Sequence, residues 1–131
     1  MKVLTIKQPW ASLIIKGVKE YEFRSWKTNY RGRLLIHAGI GIDKEPCIRL
    51  KEYLKEDLPK GKIIGSVELT DCIKVDKKFK EDRMKENSKV YATSPYDEAY
   101  AWKLENVQVF ENPIEAKGKL GLWNYENIDI M

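Results

Sequence analysis

The first residues of the chain alternate between hydrophobic and polar positions in a way that predicts a strand followed by a short helix. The strand is predicted at Val3–Lys7, where successive side chains point to opposite faces. Trp10, Leu13 and Ile14 then recur at helical spacing and form one apolar stripe. Gly17 stands where a left-handed residue would end that helix.

A second strand is predicted at Lys19–Trp26, where the alternation is clear. Tyr21 and Phe23 share one face of this strand. The opposite face carries Glu20, Glu22, Arg24 and Trp26. An acid, a guanidinium and an indole at intervals of two can therefore line one wall of a site.

The middle of the chain predicts two further strands separated by a helix. After a turn at 29–32, Arg33–His37 is strongly apolar, and Asp43 is placed to cap a helix that runs to about Leu54. A long strand is predicted at Lys62–Val75, with a bulge or corner at Gly65.

The last third is predicted to hold a charged excursion and two strands. Asp76–Lys89 is expected to be a peripheral helix, with a mobile loop as the alternative. Residues 91–99 are expected to be irregular, and Tyr100–Phe110 is strand-like, with Trp102 in the core. Asn112–Pro113 is expected to turn the chain into a closing strand within Lys117–Trp123. Strands of uneven length without βαβ alternation predict the α+β class with a small barrel.

Length and composition indicate one globular domain over residues 1–131. The chain has 43% hydrophobic and 34% charged residues, and no apolar run long enough to cross a membrane. No signal-peptide pattern develops at the N-terminus, so a cytoplasmic protein is expected. With two cysteines, Cys47 and Cys72, and only His37 as a histidine, we expect reduced thiols, no structural metal and no cofactor.

Positive charge is concentrated near the N-terminus. The formal net charge is +4, and residues 1–40 hold eight lysines and arginines against two acids. Such a distribution favours an anionic partner, with phosphate the obvious candidate. A solvated basic face is an equally good explanation of the charge by itself.

Four stretches of the chain resemble the ASCH family. The second of them contains the pattern GxKxxExR, preceded by QPW and followed by YRG. The stretches are Leu4–Ile14 (LTIKQPWASLI), Gly17–Trp26 (GVKEYEFRSW), Tyr30–Ala38 (YRGRLLIHA) and Gly118–Trp123 (GKLGLW). The resemblance implies a PUA-like fold, a small β-barrel with flanking helices and a cleft, and binding of RNA or nucleotides.

Two activities are also implied by the resemblance. Some small bacterial members look like amidohydrolases that deacylate modified cytidine, and ribonuclease activity is proposed for others. In the amidohydrolase-like members a lysine, a threonine three positions on and a distant glutamate carry the chemistry. Lys19 matches that lysine, but Glu22 stands at the threonine position. Glu68 and Glu98 are the candidates for the distant glutamate.

Lys19 and Glu22 are the candidate catalytic residues. Lys19 could bind phosphate or act as a base or nucleophile, and Glu22 could hold Lys19 or accept a proton. Arg24 could bind phosphate or stack on a base, and Trp10 and Trp26 could sandwich a base. The structural alternative is a surface Glu–Arg pair, with the tryptophans as core residues.

The remaining candidates are ligand-binding residues around these. Lys7 and Ser12 surround the start of the first helix, whose free N–H groups could receive a phosphate. Arg31 could clamp a nucleic-acid backbone or be a solvated charge, and His37 could line the cleft or be hydrogen-bonded within the fold.

Three functions remain open from the sequence. The first is an RNA- or nucleotide-binding module that uses a basic, tryptophan-lined cleft. The second is a cofactor-free, metal-independent hydrolase acting on a modified nucleoside or RNA. The third is a protein-interaction domain without nucleic acid.

Overall fold

The structure, a computed structural model, describes residues 1–55, 57–92 and 99–126. Within these ranges the chain forms the mixed α+β architecture that the sequence predicts. The strands are β1 (Lys2–Gln8), β2 (Tyr21–Arg24), β3 (Gly32–Ile42), β4 (Lys62–Lys74), β5 (Tyr100–Glu115) and β6 (Leu122–Asn124). The helices are α1 (Trp10–Ile15), α2 (Lys44–Arg49), a 3-10 turn (Lys51–Tyr53), α3 (Lys77–Glu86) and α4 (Ser88–Tyr91).

The six strands pair in one sheet with the order β2-β5-β4-β3-β1-β6. The β1–β3 pair is parallel, and the other neighbours are antiparallel. In the part of the chain that is described, β2 and β6 stand at the two ends of this order. The expected closed barrel therefore stays a prediction.

The helix α1 packs against the sheet with its predicted apolar stripe. Leu13 and Ile14 are fully buried, while Trp10 is partly buried and contacts two hydrophobic clusters. Gly17 ends the helix with a φ of +77°, as expected. Trp102 is fully buried in the core, in agreement with the sequence, and Trp123 is nearly fully buried.

The expected irregularity at Gly65 is present. The register of β4 against β3 shifts there, and it shifts against β5 as well. A Cβ atom at Gly65 would lie 2.5 Å from the carbonyl oxygen of Gln108 and 2.7 Å from Cδ1 of Ile15. Only glycine lets β5 and α1 approach β4 this closely.

The expectation of a turn at Asn112–Pro113 is wrong. The strand β5 continues through these residues to Glu115. Between the pairs Gly65–Val109 and Ile63–Ile114, β5 has four residues where β4 has one. This large irregular bulge takes Pro113 out of the regular ladder of hydrogen bonds, so that its missing N–H group breaks no pairing.

Other element boundaries also differ from the predictions. The strand β2 is shorter than Lys19–Trp26, the strand β3 is longer than expected, and β6 keeps only three residues. Helix α2 ends at Arg49, and the chain reaches Leu54 through the 3-10 turn. The charged excursion is helical, as predicted. Residues 93–98 of the expected irregular stretch lie outside the described residues.

Candidate functional site

A single open cleft of about 910 Å³ gathers most of the predicted site residues. Six of them line it, although they come from separate elements. They are Lys7, Trp10, Lys19, Glu22, Arg24 and Trp26. The cleft lies where the end of β1, the start of α1 and the strand β2 meet.

Lys19 and Glu22 are the buried charges of this cleft, with 3% and 7% of their surfaces exposed. The left-handed turn at Gly17 fixes the position of Lys19, because it allows the N–H groups of Val18 and Lys19 to donate to the carbonyl of Leu13. Lys19 Nζ donates to Glu22 Oε1 at 3.1 Å. The same ammonium lies 4.8 Å from the centre of the Trp10 ring.

Arg24 is the second cation bound to Glu22. Its Nη2 donates to Glu22 Oε2 at 3.0 Å and to the main-chain oxygen of Thr5 at 2.8 Å. The buried Nε of Arg24 has no hydrogen-bond partner among the described residues.

Glu22 is held as a carboxylate by this arrangement. Burial raises its pKa, but the charges of Lys19 and Arg24 and their hydrogen bonds outweigh burial, so the pKa lies below its ordinary value of 4.5. The main-chain N–H of Phe23 also donates to Oε1. With three donors on its two oxygens, Glu22 is a structural counter-charge in the resting protein.

The two tryptophans of the cleft are fixed by different contacts. The indole N–H of Trp10 donates to Asp43 Oδ2 at 2.8 Å. Asp43 therefore binds Trp10 and makes no side-chain cap for α2, which corrects the predicted capping role. Trp26 lies just past β2 and is 37% exposed. Its ring lies nearly perpendicular to that of Trp102 with 4.8 Å between the ring centres, and its main-chain oxygen accepts the Trp102 indole N–H.

Two parts of the cleft were not anticipated from the sequence. The end of β3 and the start of α2 contribute Gly39–Gly41, Asp43 and Glu45, and the segment before β6 contributes Lys119–Gly121. The lining thus mixes lysine and arginine with three acids. Lys119–Gly121 belongs to the GKLGLW stretch that resembles the family, but no side chain of either segment was predicted to be in the site, because only the tertiary fold brings them there.

Three predicted ligand-binding residues lie away from the cleft lining. Ser12 is buried. Its hydroxyl accepts a hydrogen bond from Gln8 Nε2, and its N–H donates to Gln8 Oε1, so this N–H group at the start of α1 is already bonded. Arg31 donates to the carbonyls of Thr28 and Tyr30. His37 is buried, and its Nε2 donates to the carbonyl of Ala116 at 2.6 Å. The contact of His37 matches its alternative of a hydrogen bond within the fold.

The described part of the structure places no candidate for the distant glutamate in the cleft. Glu68 is absent from the lining and contacts Arg33 and Asn106. Glu98 lies outside the described residues. In the described part of the chain, no three residues of the types His, Cys, Asp and Glu converge to hold a metal ion.

Comparison with known proteins identifies the family of this chain. The sequence model of the ASCH domain matches residues 4–114, so the chain belongs to the ASCH family. Activating signal cointegrator 1 of Homo sapiens is 39% identical over 92 residues, and the Mus musculus protein is 39% identical over 90 residues. The match covers 60% of this chain but only 15% of either relative.

Solved structures agree with this membership at the level of the fold. The ASCH protein of Zymomonas mobilis superimposes with a TM-score of 0.56 at 18% identity, covering 87% of this chain and 72% of that one. A mutant of the same protein gives a TM-score of 0.55 and covers 74% of that chain. No helix among the described residues is long and apolar enough to cross a membrane.

Proposed function

We propose that this chain is an RNA- or nucleotide-binding domain that holds its ligand in the cleft between β1, α1 and β2. The observation that carries this proposal is the exposed Trp26, which packs perpendicular to Trp102 in a cleft that also holds the buried ammonium of Lys19 and the partly buried guanidinium of Arg24. A base has an aromatic face to stack on Trp26, and such stacking contributes about 1–3 kcal/mol.

The polar part of the ligand has separate partners in this proposal. The guanidinium of Arg24, whose side chain lines the cleft and is 25% exposed, offers a donor to an acceptor of the base or sugar. Lys7 lies exposed at the edge of the cleft and neutralises phosphate. Trp10 also lines the cleft, where the ammonium of Lys19 lies over its ring.

The closure of the sheet into a barrel is part of the same proposal. Three strands separate β2 from β1 in the sheet, yet Arg24 of β2 bonds to the main chain of Thr5 in β1. The sheet must therefore curl strongly, which supports a PUA-like barrel of one domain with the cleft beside it.

A hydrolase is the second candidate, favoured by the burial of Lys19 and Glu22 in the cleft. Hydrolysis would need Glu22 as a base or Lys19 as a nucleophile. The lowered pKa of Glu22 makes it a weak base, and its three donors occupy it. Binding without turnover is therefore the function that the geometry supports better.

The test is a titration of short single-stranded RNAs and modified nucleosides, including acylated cytidine, with product followed by mass. Trp26→Ala is expected to weaken binding about tenfold, because one stacking contact is lost. Trp26→Phe should restore much of the affinity. Lys7→Ala should reduce the salt dependence of binding, whereas Lys74→Ala, an exposed lysine outside the cleft, should leave it unchanged.

Three results would separate the alternatives. Product formed by the wild type and lost in Lys19→Ala would establish the hydrolase. Binding insensitive to Trp26→Ala and Lys7→Ala would contradict the assignment of the cleft. If neither RNA nor nucleoside bound, the domain would be assigned to a protein partner instead.

A further inference from the structure

The outer edge of the cleft carries two strongly exposed apolar side chains, Ile40 and Leu120, which we call the apolar shelf. Ile40 is 81% exposed and Leu120 is 98% exposed, and both line the same cleft as Trp26. They flank β1 on its two sides, since Ile40 lies in β3 and Leu120 lies just before β6.

The fold holds Leu120 in this exposed position. Gly118 lies so close to His37 that a Cβ atom would come within 2.9 Å of its ring. The hydrogen bond from His37 to Ala116 fixes the chain just before this point. Gly121 follows with a φ of +65°, and β6 then pairs with β1. The path of the segment is thus set on both sides of Leu120.

Positive charge lies directly beside the apolar shelf. Lys7 belongs to β1, between the two shelf residues, and the alkyl part of its side chain packs over Gly41. Lys119 precedes Leu120 in the lining. Apolar surface interleaved with cations suits a base joined to a phosphate, because the base covers the apolar groups while the phosphate meets the lysines.

We propose that the apolar shelf binds the second base of a single-stranded nucleic acid whose first base lies on Trp26. This inference rests on the proposed function and extends it from one nucleotide to two. The size of the cleft agrees, since 910 Å³ lies toward the upper end of the roughly 300–1,000 Å³ typical of ligand pockets. The phosphate between the two bases then lies near Lys7.

The test compares two ligands of equal charge in the wild-type chain. One set comprises 5′-phosphorylated dinucleotides of each base, and the other comprises the same molecules lacking the second base. The complete dinucleotide is expected to bind about three- to tenfold more tightly, because only it covers the apolar shelf. Leu120→Ser should remove most of this ratio without changing the affinity for the abasic ligand.

Val109→Ser is the matched control, because Val109 is 68% exposed and lies outside the cleft lining. It should leave both affinities unchanged. Equal affinity of the wild type for the two ligands would overturn the shelf proposal while leaving the proposed function intact. A ratio that survives Leu120→Ser and Ile40→Ser would also overturn it. Failure of both ligands to bind would refute the proposed function as well.

Discussion

Replacing Glu22 with leucine is expected to destabilise the protein by about 3–5 kcal/mol, the cost of leaving a buried charge without its partner. Lys19 is 3% exposed and has Glu22 as its ion-pair partner, so the substitution leaves its ammonium buried beside apolar rings. Arg24 would lose the same carboxylate. Denaturant unfolding of the two proteins measures the effect.

Glu68→Leu is the control for this substitution. Glu68 also faces an arginine, Arg33, but at 3.8 Å and with 45% of its side chain exposed. Exposed pairs of this kind contribute about 0–1 kcal/mol. If Glu22→Leu were no more destabilising than Glu68→Leu, the buried pair would not be a structural centre of the cleft.

The pH dependence of stability gives a second measurement on the same carboxyl. The pKa of Glu22 in the folded protein is lowered from its ordinary value of 4.5 by Lys19 and Arg24, which outweigh the raising effect of burial. The stabilisation is therefore complete above about pH 4.5 and is lost as the pH falls through the lower, folded pKa. The advantage of the wild type over Glu22→Gln should narrow on acidification. An advantage that stayed constant down to the acid unfolding of both would contradict this assignment.

The sequence predicted those parts of the site that lie on local patterns. Lys7, Trp10 and Glu22 fall on a strand, a helix start and a second strand that the alternation and the glycine cap already mark. The positions within these elements were less predictable. Trp26 was assigned to a strand face by its spacing, but β2 ends at Arg24, and Trp26 is positioned by its contact with Trp102, 76 residues away.

The remaining parts of the cleft depend on contacts between distant segments. Leu120 enters the lining because β6 pairs with β1, and nothing near it in the sequence indicates that pairing. Asp43 matches the usual pattern of a helix cap, yet its carboxylate bonds to Trp10, 33 residues earlier. A local pattern identifies which chemistry a side chain offers, whereas the partner that uses it is chosen by the tertiary fold.

Pro113 shows that a local sequence pattern can also fail to predict the path of the backbone. An Asn-Pro pair after a strand normally predicts a turn. Here β4 continues alongside and pairs again with β5 beyond the proline, at Ile114 and Glu115. The gain from this later pairing, together with the burial of Ile63 in a cluster with Val3 and Trp123, favours a bulge over a turn.

Trp102 links the core to the ligand site, and its truncation is expected to affect both. Trp102→Ala should destabilise the protein by about 3–5 kcal/mol, because a fully buried indole is replaced by a cavity. Trp102→Phe keeps an aromatic ring but removes the indole N–H that donates to the main chain of Trp26, and it reduces the ring area in contact with Trp26.

We therefore expect Trp102→Phe to weaken RNA binding about threefold or more under conditions where the protein stays folded, because Trp26 is no longer fixed for stacking. Titration below the unfolding temperature measures this directly. Leu35→Ala is the control: Leu35 is buried in a different cluster with Val3 and Trp123, so it should lower stability by about 2–5 kcal/mol without changing the affinity. Equal loss of affinity in both variants would mean that binding follows global stability, and the specific support of Trp26 by Trp102 would be refuted.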